Sequence, residues 1–336
     1  MRYFKSAQSF VLENGEKLPE LEIAYTTYGS LNKNADNVIW ICHALTANSN
    51  AQEWWPGLIG KGWAFDTTNH FIVCANILGS CYGTTGPITQ QPESGHPLFH
   101  QFPSITIRDM VKAHQLLQQH LGINKIHLLV GGSLGGYQAI EWCVMQPELI
   151  NNLFLLATSA KESAWGIAVH TAQRMAIETD CTWKEQNENA AKNGLKTARA
   201  IGMLTYRSYT TFIATQADED NEKLDDYKAS SYIYYQGEKL AKRFSAHSYW
   251  VLTKAMDTHN LARGRGGMTT VLKSIRARTL IIGIDSDILC PLQEQKFLSE
   301  HIPDASFVAI DSIYGHDGFL VETEAITQHL STWLKP

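Results

Sequence analysis

The sequence VGGSLGG, residues 130–136, joins a short apolar run to a segment whose apolar residues recur with the spacing of a helix. The run before it predicts a buried parallel strand, and the segment after it predicts a helix. Gly131, Ser133 and Gly135 match the G-x-S-x-G pattern of a nucleophile elbow, in which glycines permit a strained turn and a close approach of strand and helix. A surface serine in a glycine-rich turn is the alternative, but the succession of strand, turn and helix favours Ser133 as a nucleophile.

Two later predicted strands end beside residues that could activate this serine. A hydrolase with such an elbow carries its acid and base further along the chain, in the order serine, aspartate or glutamate, histidine. Residues 279–284 predict a buried strand, and Asp285 and Asp287 follow it, so either one is the candidate acid. Residues 306–310 predict the next strand, and His316 in the loop after it is the candidate base. A solvated loop histidine is the alternative, but loops at the carboxyl ends of parallel strands carry the chemistry of such folds.

The composition is that of an ordinary globular protein, with 336 residues, 44% of them hydrophobic and 18% charged. A formal net charge of -5 argues against nucleic acid or an anionic membrane surface as a partner. No apolar run reaches the length of a membrane span, and the N-terminal residues lack the apolar core of a signal peptide, so we expect a cytoplasmic protein. The six cysteines show no C-x-x-C spacing, so neither a metal site nor a disulfide framework is predicted.

The first half of the chain predicts further strands and one crossover helix. Residues 10–12 and 21–25, with Asn14-Gly15 between them, predict an antiparallel hairpin on a type I′ turn. Residues 106–121 show apolar side chains on one face and predict the helix that leads to the nucleophile strand.

A backbone site for the developing oxyanion is also predicted. Residues 38–42 predict a buried strand that ends in the sequence HALT, residues 43–46. In hydrolases with a nucleophile elbow, the loop after this strand donates one backbone N–H to the oxyanion hole, and the residue after the nucleophile donates the other. Leu45 and Leu134 would be these donors.

The pattern changes after residue 162. Residues 163–268 show helical patterns, many aromatic residues and no convincing buried strand, which predicts a helical lid inserted between two halves of a sheet. The predicted α/β core is therefore discontinuous, residues 1–162 and 269–336, with a mostly parallel sheet and helices on both faces. The sequence RGRGG, residues 263–267, is interpreted as the exit loop of the lid, with a basic binding patch as the alternative.

Taken in order, these stretches resemble the homoserine O-acyltransferases of the MetX type, which are built on the α/β-hydrolase fold. The resemblance covers nearly the whole chain. The matching stretches are residues 43–46, 76–87, 102–110, 131–136, 141–142, 173–174, 204–207, 235–237, 263–267, 286–287 and 314–320.

The resemblance implies a catalytic triad of Ser133, Asp287 and His316, with Asp287 preferred to Asp285. It also implies that Arg207 and Asp317 hold the amino-acid substrate. A guanidinium suits the α-carboxylate of L-homoserine, and a carboxylate suits its ammonium group. The implied reaction passes the acetyl group of acetyl-CoA through an acyl-enzyme to homoserine and yields O-acetyl-L-homoserine for methionine biosynthesis. The family further implies a homodimer with no bound cofactor and no metal.

The chain departs from the family pattern at the entrance and in the lid. Leu134 and Tyr137 stand where methionine is common, His170 stands where asparagine is usual, and residues 181–182 replace a proline motif. Small changes in a pocket decide between similar substrates. A succinyl donor, a serine acceptor, an esterase or thioesterase activity and a binding module without chemistry are the alternatives.

Overall fold

The computed structural model describes residues 1–92 and 94–335. Glu93 and Pro336, which belong to the predicted core segments, lie outside the described residues. The strands of the described part are β1 (Arg2–Lys5), β2 (Phe10–Val11), β3 (Lys17–Leu18), β4 (Glu22–Tyr28), β5 (Val38–Cys42), β6 (Ile59–Gly60), β7 (Phe65–Asp66), β8 (Phe71–Ala75), β9 (Ile126–Gly132), β10 (Ile150–Leu156), β11 (Arg278–Ile284) and β12 (Ala305–Ile310).

Eight of these strands form one sheet in the order β1-β4-β8-β5-β9-β10-β11-β12. Strand β1 is antiparallel to β4, and β4 is antiparallel to β8. The pairs from β8 through β5, β9, β10 and β11 to β12 are all parallel. The predicted mostly parallel sheet is confirmed.

The helices of the described part are α1 (Ala51–Trp54), α2 (Ile107–His120), α3 (Leu134–Met145), α4 (Ala164–Glu178), α5 (Lys192–Tyr206), α6 (Tyr209–Gln216), α7 (Lys228–Ala241), α8 (Ala246–Met256), α9 (Met268–Leu272), α10 (Leu292–His301), α11 (Gly318–Val321) and α12 (Thr323–Trp333). None of them is both long and apolar enough to cross a membrane.

Alternate side chains of the central strand β5 face two different helical layers. Trp40 lies in the layer of α2 and α3, where its ring meets Trp142 edge-on at 5.0 Å between centroids. Ile39 and Ile41 lie in the opposite layer, which Ile326 of α12 helps to cover. Helices therefore pack on both faces of the sheet, as predicted.

The predicted N-terminal hairpin is wrong in its pairing and in its turn. Strand β2 pairs with β3, which is nearer to it in the sequence than β4 is. Strand β4 pairs with β1, which is longer than β2. Gly15 has φ 90°, but Asn14 is not among the residues with positive φ, and a type I′ turn needs both. The Gly15 N–H donates to the carbonyl of Leu12 at 3.0 Å and closes the turn.

The described residues between 163 and 268 contain helices α4 to α8 and no named strand. Helix α5 packs against both α4 and α7. The helical pattern over residues 232–256 is divided into α7 and α8, because Ser245 caps α8 by accepting the N–H of Ser248. We call residues 163–268 the insertion; its behaviour as a lid stays a prediction.

The insertion contacts the loop between β12 and α11. The hydroxyls of Ser208 and Thr211, at the start of α6, both donate to the carbonyl of Ile313. Gly315 lies so close to the end of α5 that a Cβ there would stand 2.8 Å from the carbonyl oxygen of Tyr206. This junction fastens the insertion to the loop that carries the predicted base.

The exit of the insertion is held by ion pairs. Arg263 contacts Glu13 of the N-terminal turn at 2.7 Å, and Arg265 contacts Glu141 of α3. Arg108 of α2 joins both carboxylates, at 2.9 Å and 3.2 Å. These arginines are therefore engaged with the protein itself, in agreement with an exit segment and not with a basic binding patch.

Candidate active site

Ser133 stands at the turn between β9 and α3 with φ 54° and ψ -126°, a conformation that non-glycine residues rarely adopt. Its neighbours have no room for side chains. A Cβ on Gly131 would lie 2.2 Å from the carbonyl oxygen of Gly135, and a Cβ on Gly135 would lie 2.0 Å from that of Cys42. The glycines thus let strand, helix and β5 approach closely enough to hold Ser133 in this strained turn.

The three predicted triad residues lie in contact at one edge of the sheet. His316 Nε2 is 2.8 Å from Ser133 Oγ, and His316 Nδ1 is 2.7 Å from Asp287 Oδ2. All three side chains are buried. They follow β9, β11 and β12, whose parallel carboxyl ends bring them together. The arrangement is that of a nucleophile, a base and an orienting carboxylate.

The two candidate acids, Asp285 and Asp287, differ in burial and in hydrogen-bond partners. Asp285 is exposed and accepts the backbone N–H of Ser312 at 3.0 Å. Asp287 is buried beside the imidazole, and its Oδ1 accepts the N–H groups of Leu289 and Cys290 at 2.8 and 2.9 Å. These donors fix the carboxylate, so Asp287 is the residue placed to orient His316.

The Asp287 carboxylate stabilises the cationic form of the His316 imidazole. Burial alone would lower the pKa of His316, but the charge of Asp287 and its hydrogen bond raise that pKa above the ordinary value. A base whose cation is stabilised can take a proton from Ser133 Oγ more readily.

Two backbone N–H groups close to Ser133 in the chain or in the cavity have no acceptor among the described residues. Leu134 is the first residue of α3, so its N–H has no acceptor within the helix. The N–H of Leu45, in the loop after β5, donates to no acceptor among the residues that the structure describes. Leu45 lines the same cavity as Ser133. These are the two predicted oxyanion donors, and their role stays a prediction.

A cavity of about 350 Å³ lies over Ser133. Residues of both the core and the insertion line it, among them Leu45, His316 and Asp317 from the core and His170, Arg199 and Tyr206 from the insertion. The cavity can therefore present a substrate to the serine while polar side chains of the insertion contact its other end.

Asp317 and Arg207, the two predicted substrate-binding residues, form an ion pair of 2.9 Å between the Arg207 Nε and the Asp317 carboxylate. Asp317 lines the cavity, but Arg207 lines a separate depression between α6 and α7. Burial raises the pKa of Asp317, and Arg207 and Arg199 offset that rise only in part. In this structure Arg207 is paired with Asp317, and its contact with a substrate carboxylate stays a prediction.

Arg199 is a cavity residue that was not predicted from the sequence. It lines the cavity from α5, and its buried Nε has no hydrogen-bond partner among the described residues. Its guanidinium carbon lies 5.3 Å from the centre of the Tyr206 ring, seven residues or about two helical turns later. This spacing places both side chains on one face of α5, and it was the sequence feature that could have pointed to Arg199. A cation with an unpartnered nitrogen suits an anionic substrate group.

His170, a departure from the family pattern, also lines the cavity. Its Nδ1 lies 3.0 Å from Asp257 Oδ1, and the other oxygen of Asp257 contacts Arg174 at 2.6 Å. The Asp257 carboxylate thus fixes the imidazole from behind, which leaves the other side of the ring to the cavity.

Asp287, Cys290 and His316 offer ligand atoms within 4.8 Å of one another. The Asp287 carboxylate and the His316 imidazole are already hydrogen-bonded as acid and base. Because burial raises the pKa of Cys290 well above its usual range, its thiol stays protonated at neutral pH, and this group does not form a favourable metal site.

Comparisons with known proteins agree with this geometry. The family model described as the alpha/beta hydrolase fold matches residues 37–323. The homoserine O-acetyltransferase of Cyclobacterium marinum is 49% identical over 98% of this chain and 94% of its own, and that of Chloroherpeton thalassium is 47% identical over 96% and 86%. Among solved structures, the homoserine O-acetyltransferase from Bacillus anthracis superposes with a TM-score of 0.92 at 25% identity, over 100% of this chain and 98% of that one. Esterase E22 reaches 0.91 at 24% identity, over 99% of both chains, a likeness that concerns the fold alone.

Proposed function

The chain belongs to the homoserine O-acetyltransferases, acyltransferases built on the α/β-hydrolase fold, and from that premise we propose that it transfers the acetyl group of acetyl-CoA to L-homoserine through an acyl-enzyme on Ser133. The observation that carries the proposal is one cavity in which a hydrogen-bonded Ser133 and His316 face Arg199 and Asp317. A nucleophile beside a pair of opposite charges suits a zwitterionic acceptor. A simple ester substrate would need no such pair.

In the first half-reaction, Ser133 Oγ attacks the thioester carbonyl carbon and passes its proton to His316 Nε2, 2.8 Å away. Asp287 stabilises the imidazolium without taking the proton. The tetrahedral oxyanion accepts hydrogen bonds from the N–H groups of Leu45 and Leu134, at the positive end of α3. The carbon–sulfur bond then breaks, CoA leaves as a thiol with the proton from His316, and the acetyl group stays on Ser133.

In the second half-reaction, the γ-hydroxyl of homoserine gives its proton to His316 and attacks the acyl-enzyme. The same two N–H groups stabilise the second oxyanion. Ser133 leaves with the proton from His316, and the product is O-acetyl-L-homoserine, an intermediate for methionine biosynthesis. No cofactor is required by this chemistry.

The acceptor is held at its charged end. Its α-carboxylate binds the guanidinium of Arg199, whose fork can give two hydrogen bonds, and its ammonium binds Asp317. Arg207 supports this site by holding the Asp317 carboxylate at 2.9 Å. This differs from the assignment of the carboxylate to Arg207 that the sequence resemblance implies.

A homodimer formed through the insertion is part of the proposal. Tyr209 and Tyr234, on α6 and α7, are 81% and 77% exposed, and Leu204 is 62% exposed, so the insertion offers apolar side chains to a second copy of the chain. The cytoplasmic location stays a prediction.

The test is release of CoA thiol by the purified protein, with acetyl-CoA or succinyl-CoA as donor and with homoserine, serine or no acceptor. We expect CoA thiol to be released only when homoserine is present, and faster from acetyl-CoA than from succinyl-CoA. Equal release without an acceptor would make water the nucleophile and the protein a hydrolase. Preference for succinyl-CoA or serine would keep the mechanism and change the substrates.

A further inference from the structure

His43 is a fully buried imidazole with a partner on each ring nitrogen. Its Nε2 accepts the backbone N–H of Ile77 at 3.1 Å, so this nitrogen carries no hydrogen. The hydrogen of the neutral ring is then on Nδ1, which donates to the carbonyl oxygen of Ala44 at 2.8 Å. Burial lowers the pKa of His43 to about 4, in keeping with a neutral ring at pH 7.

The carbonyl that His43 holds belongs to the same peptide group as the N–H of Leu45. A trans peptide group is planar, so its C=O and its N–H point in opposite directions. A second donor, the N–H of Ala47, reaches the same Ala44 oxygen at 3.1 Å. When these donors fix the carbonyl on the buried side, the Leu45 N–H is aimed at the opposite side, where Leu45 and Ser133 line the cavity.

Two elements hold His43, one through its ring and one through its backbone. Ile77, in the loop after β8, holds Nε2, while Gln138 of α3 donates to the backbone carbonyl of His43 at 3.3 Å. Helix α3 begins with Leu134, the residue of the other oxyanion donor. Helix α3 therefore contacts the His43 backbone and also carries Leu134, the other predicted oxyanion donor.

We propose that His43 is a positioning residue that aims the Leu45 N–H at the oxyanion through the Ala44 carbonyl. The inference rests on the proposed function, because it assumes an acyl transfer at Ser133. Loss of one oxyanion donor lowers kcat by about 10²–10³-fold, and a donor that is present but poorly aimed should cost less, about 10–100-fold.

The test uses two amides that replace different halves of the ring. In His43→Asn the amide nitrogen can take the place of Nδ1 and still donate to Ala44, whereas in His43→Gln the longer amide reaches the place of Nε2 and Ile77. We measure the acylation burst with p-nitrophenyl acetate and the inhibition constant of methylboronic acid, which forms a tetrahedral adduct on serine. His247→Asn, at a buried histidine of the insertion that does not line the cavity, is the control for loss of a buried imidazole.

His43→Gln should slow the burst by about 10–100-fold and weaken methylboronic acid by a similar factor, with KM for the ester unchanged. His43→Asn should stay within about threefold of wild type on both measurements, and His247→Asn should lower thermal stability alone. Equal losses in His43→Asn and His43→Gln, or a slower burst with unchanged methylboronic acid affinity, would overturn the inference. A wild-type protein without a burst would overturn the proposed function, and the inference with it.

Discussion

The two parts of the molecule that meet at the cavity are held in different ways. Ser133, Asp287 and His316 follow the parallel strands β9, β11 and β12 of one sheet, in which β10 lies between β9 and β11, so the hydrogen bonds of the sheet fix their relative positions. Arg199 and His170 stand on α5 and α4 of the insertion, where Arg199 packs over the ring of Tyr206 and Asp257 contacts His170. In the proposed mechanism the triad on the sheet makes and breaks bonds, while Arg199 of the insertion binds the acceptor together with Asp317 of the core. The two roles should separate in kinetic measurements.

The largest expected effect is at Ser133. Ser133→Ala removes the nucleophile, so the acylation burst and the covalent acetyl adduct seen by mass spectrometry should disappear, with a fall in kcat on the order of 10⁶. The thermal midpoint should change little, since only a hydroxyl is lost. An acetyl adduct that persists in this variant would assign the chemistry to another residue.

Asp287→Asn should have the next largest effect. The amide cannot stabilise the imidazolium and favours the wrong tautomer of His316, so kcat should fall by about 10⁴-fold while KM for homoserine changes little. Asp285→Asn, two residues away and exposed, is the matched control. Equal losses in the two variants would contradict the assignment of Asp287.

Arg199→Gln tests the insertion. We expect KM for L-homoserine to rise between about 10- and 100-fold, because a charged hydrogen bond contributes roughly 1.5–3 kcal/mol, while the burst with p-nitrophenyl acetate stays unchanged. With 3-aminopropan-1-ol, which has the hydroxyl and the amine but no carboxylate, wild type and variant should react alike.

Arg207→Gln is the matched control for this experiment, since it removes the same group outside the cavity. Its effect on KM should be smaller than that of Arg199→Gln. A larger effect would return the carboxylate to Arg207, as the family resemblance implied. Slower acylation in Arg199→Gln would contradict the proposal that the insertion acts on acceptor binding and not on acylation.

Buried histidines of the two parts give a prediction on stability. Burial lowers the pKa of His114 in the core and of His247 in the insertion to about 4. Their folded pKa lies below the unfolded value, so the unfolded chain binds more protons between these values, and stability falls as the pH drops from about 6.5 to about 4.

His114, fully buried in the core, is the clearer of the two cases. If its pKa is lower by one in the folded chain than in the unfolded chain, the free energy of unfolding falls by about 1.4 kcal/mol as the pH drops through the two pKa values. His114→Asn should therefore flatten the dependence of the unfolding midpoint on pH within this window, as measured by urea unfolding from pH 4 to 7. A midpoint that is independent of pH over this window in the wild type would contradict the prediction.

His170→Asn should have the smallest effect. It restores the residue usual in the family and keeps a hydrogen-bonding side chain at this position, so KM for homoserine should change by about two- to tenfold with the burst unaffected. Steady-state kinetics with acetyl-CoA and with succinyl-CoA as donor measure this change in KM. A larger change in the ratio of acetyl-CoA to succinyl-CoA use than in KM for homoserine would place His170 beside the donor.

The core part could be predicted well from the sequence because its signals are local. An elbow needs glycines at fixed positions around Ser133, and buried parallel strands are continuous apolar runs, so both features can be recognised within a few residues. The loops after such strands meet at one edge of the sheet. This rule points to His316 and to the pair Asp285 and Asp287 from the residue order alone.

The arginine that lines the cavity, Arg199, was not predicted from the sequence because its position depends on how helices pack. Arg199 lies in the middle of α5 and Arg207 directly follows it, so which of the two lines the cavity depends on the rotation of that helix against α4 and α7. The N-terminal pairing failed for a similar reason, since Arg2–Lys5 competes for the edge of the sheet. The partners of Arg263 and Arg265 also lie far away in the sequence, at Glu13 and Glu141.

The contact of Ser208 and Thr211 with Ile313 has a consequence for protein engineering. The segment that can be exchanged between relatives is not residues 163–268 alone, because the loop with His316 is bonded to it and Gly315 fits against it without a side chain. A chimera that carries a foreign insertion on this core would misplace its own base. A two-piece cassette, with residues 312–318 taken from the same donor as the insertion, is the smallest unit that can be transplanted.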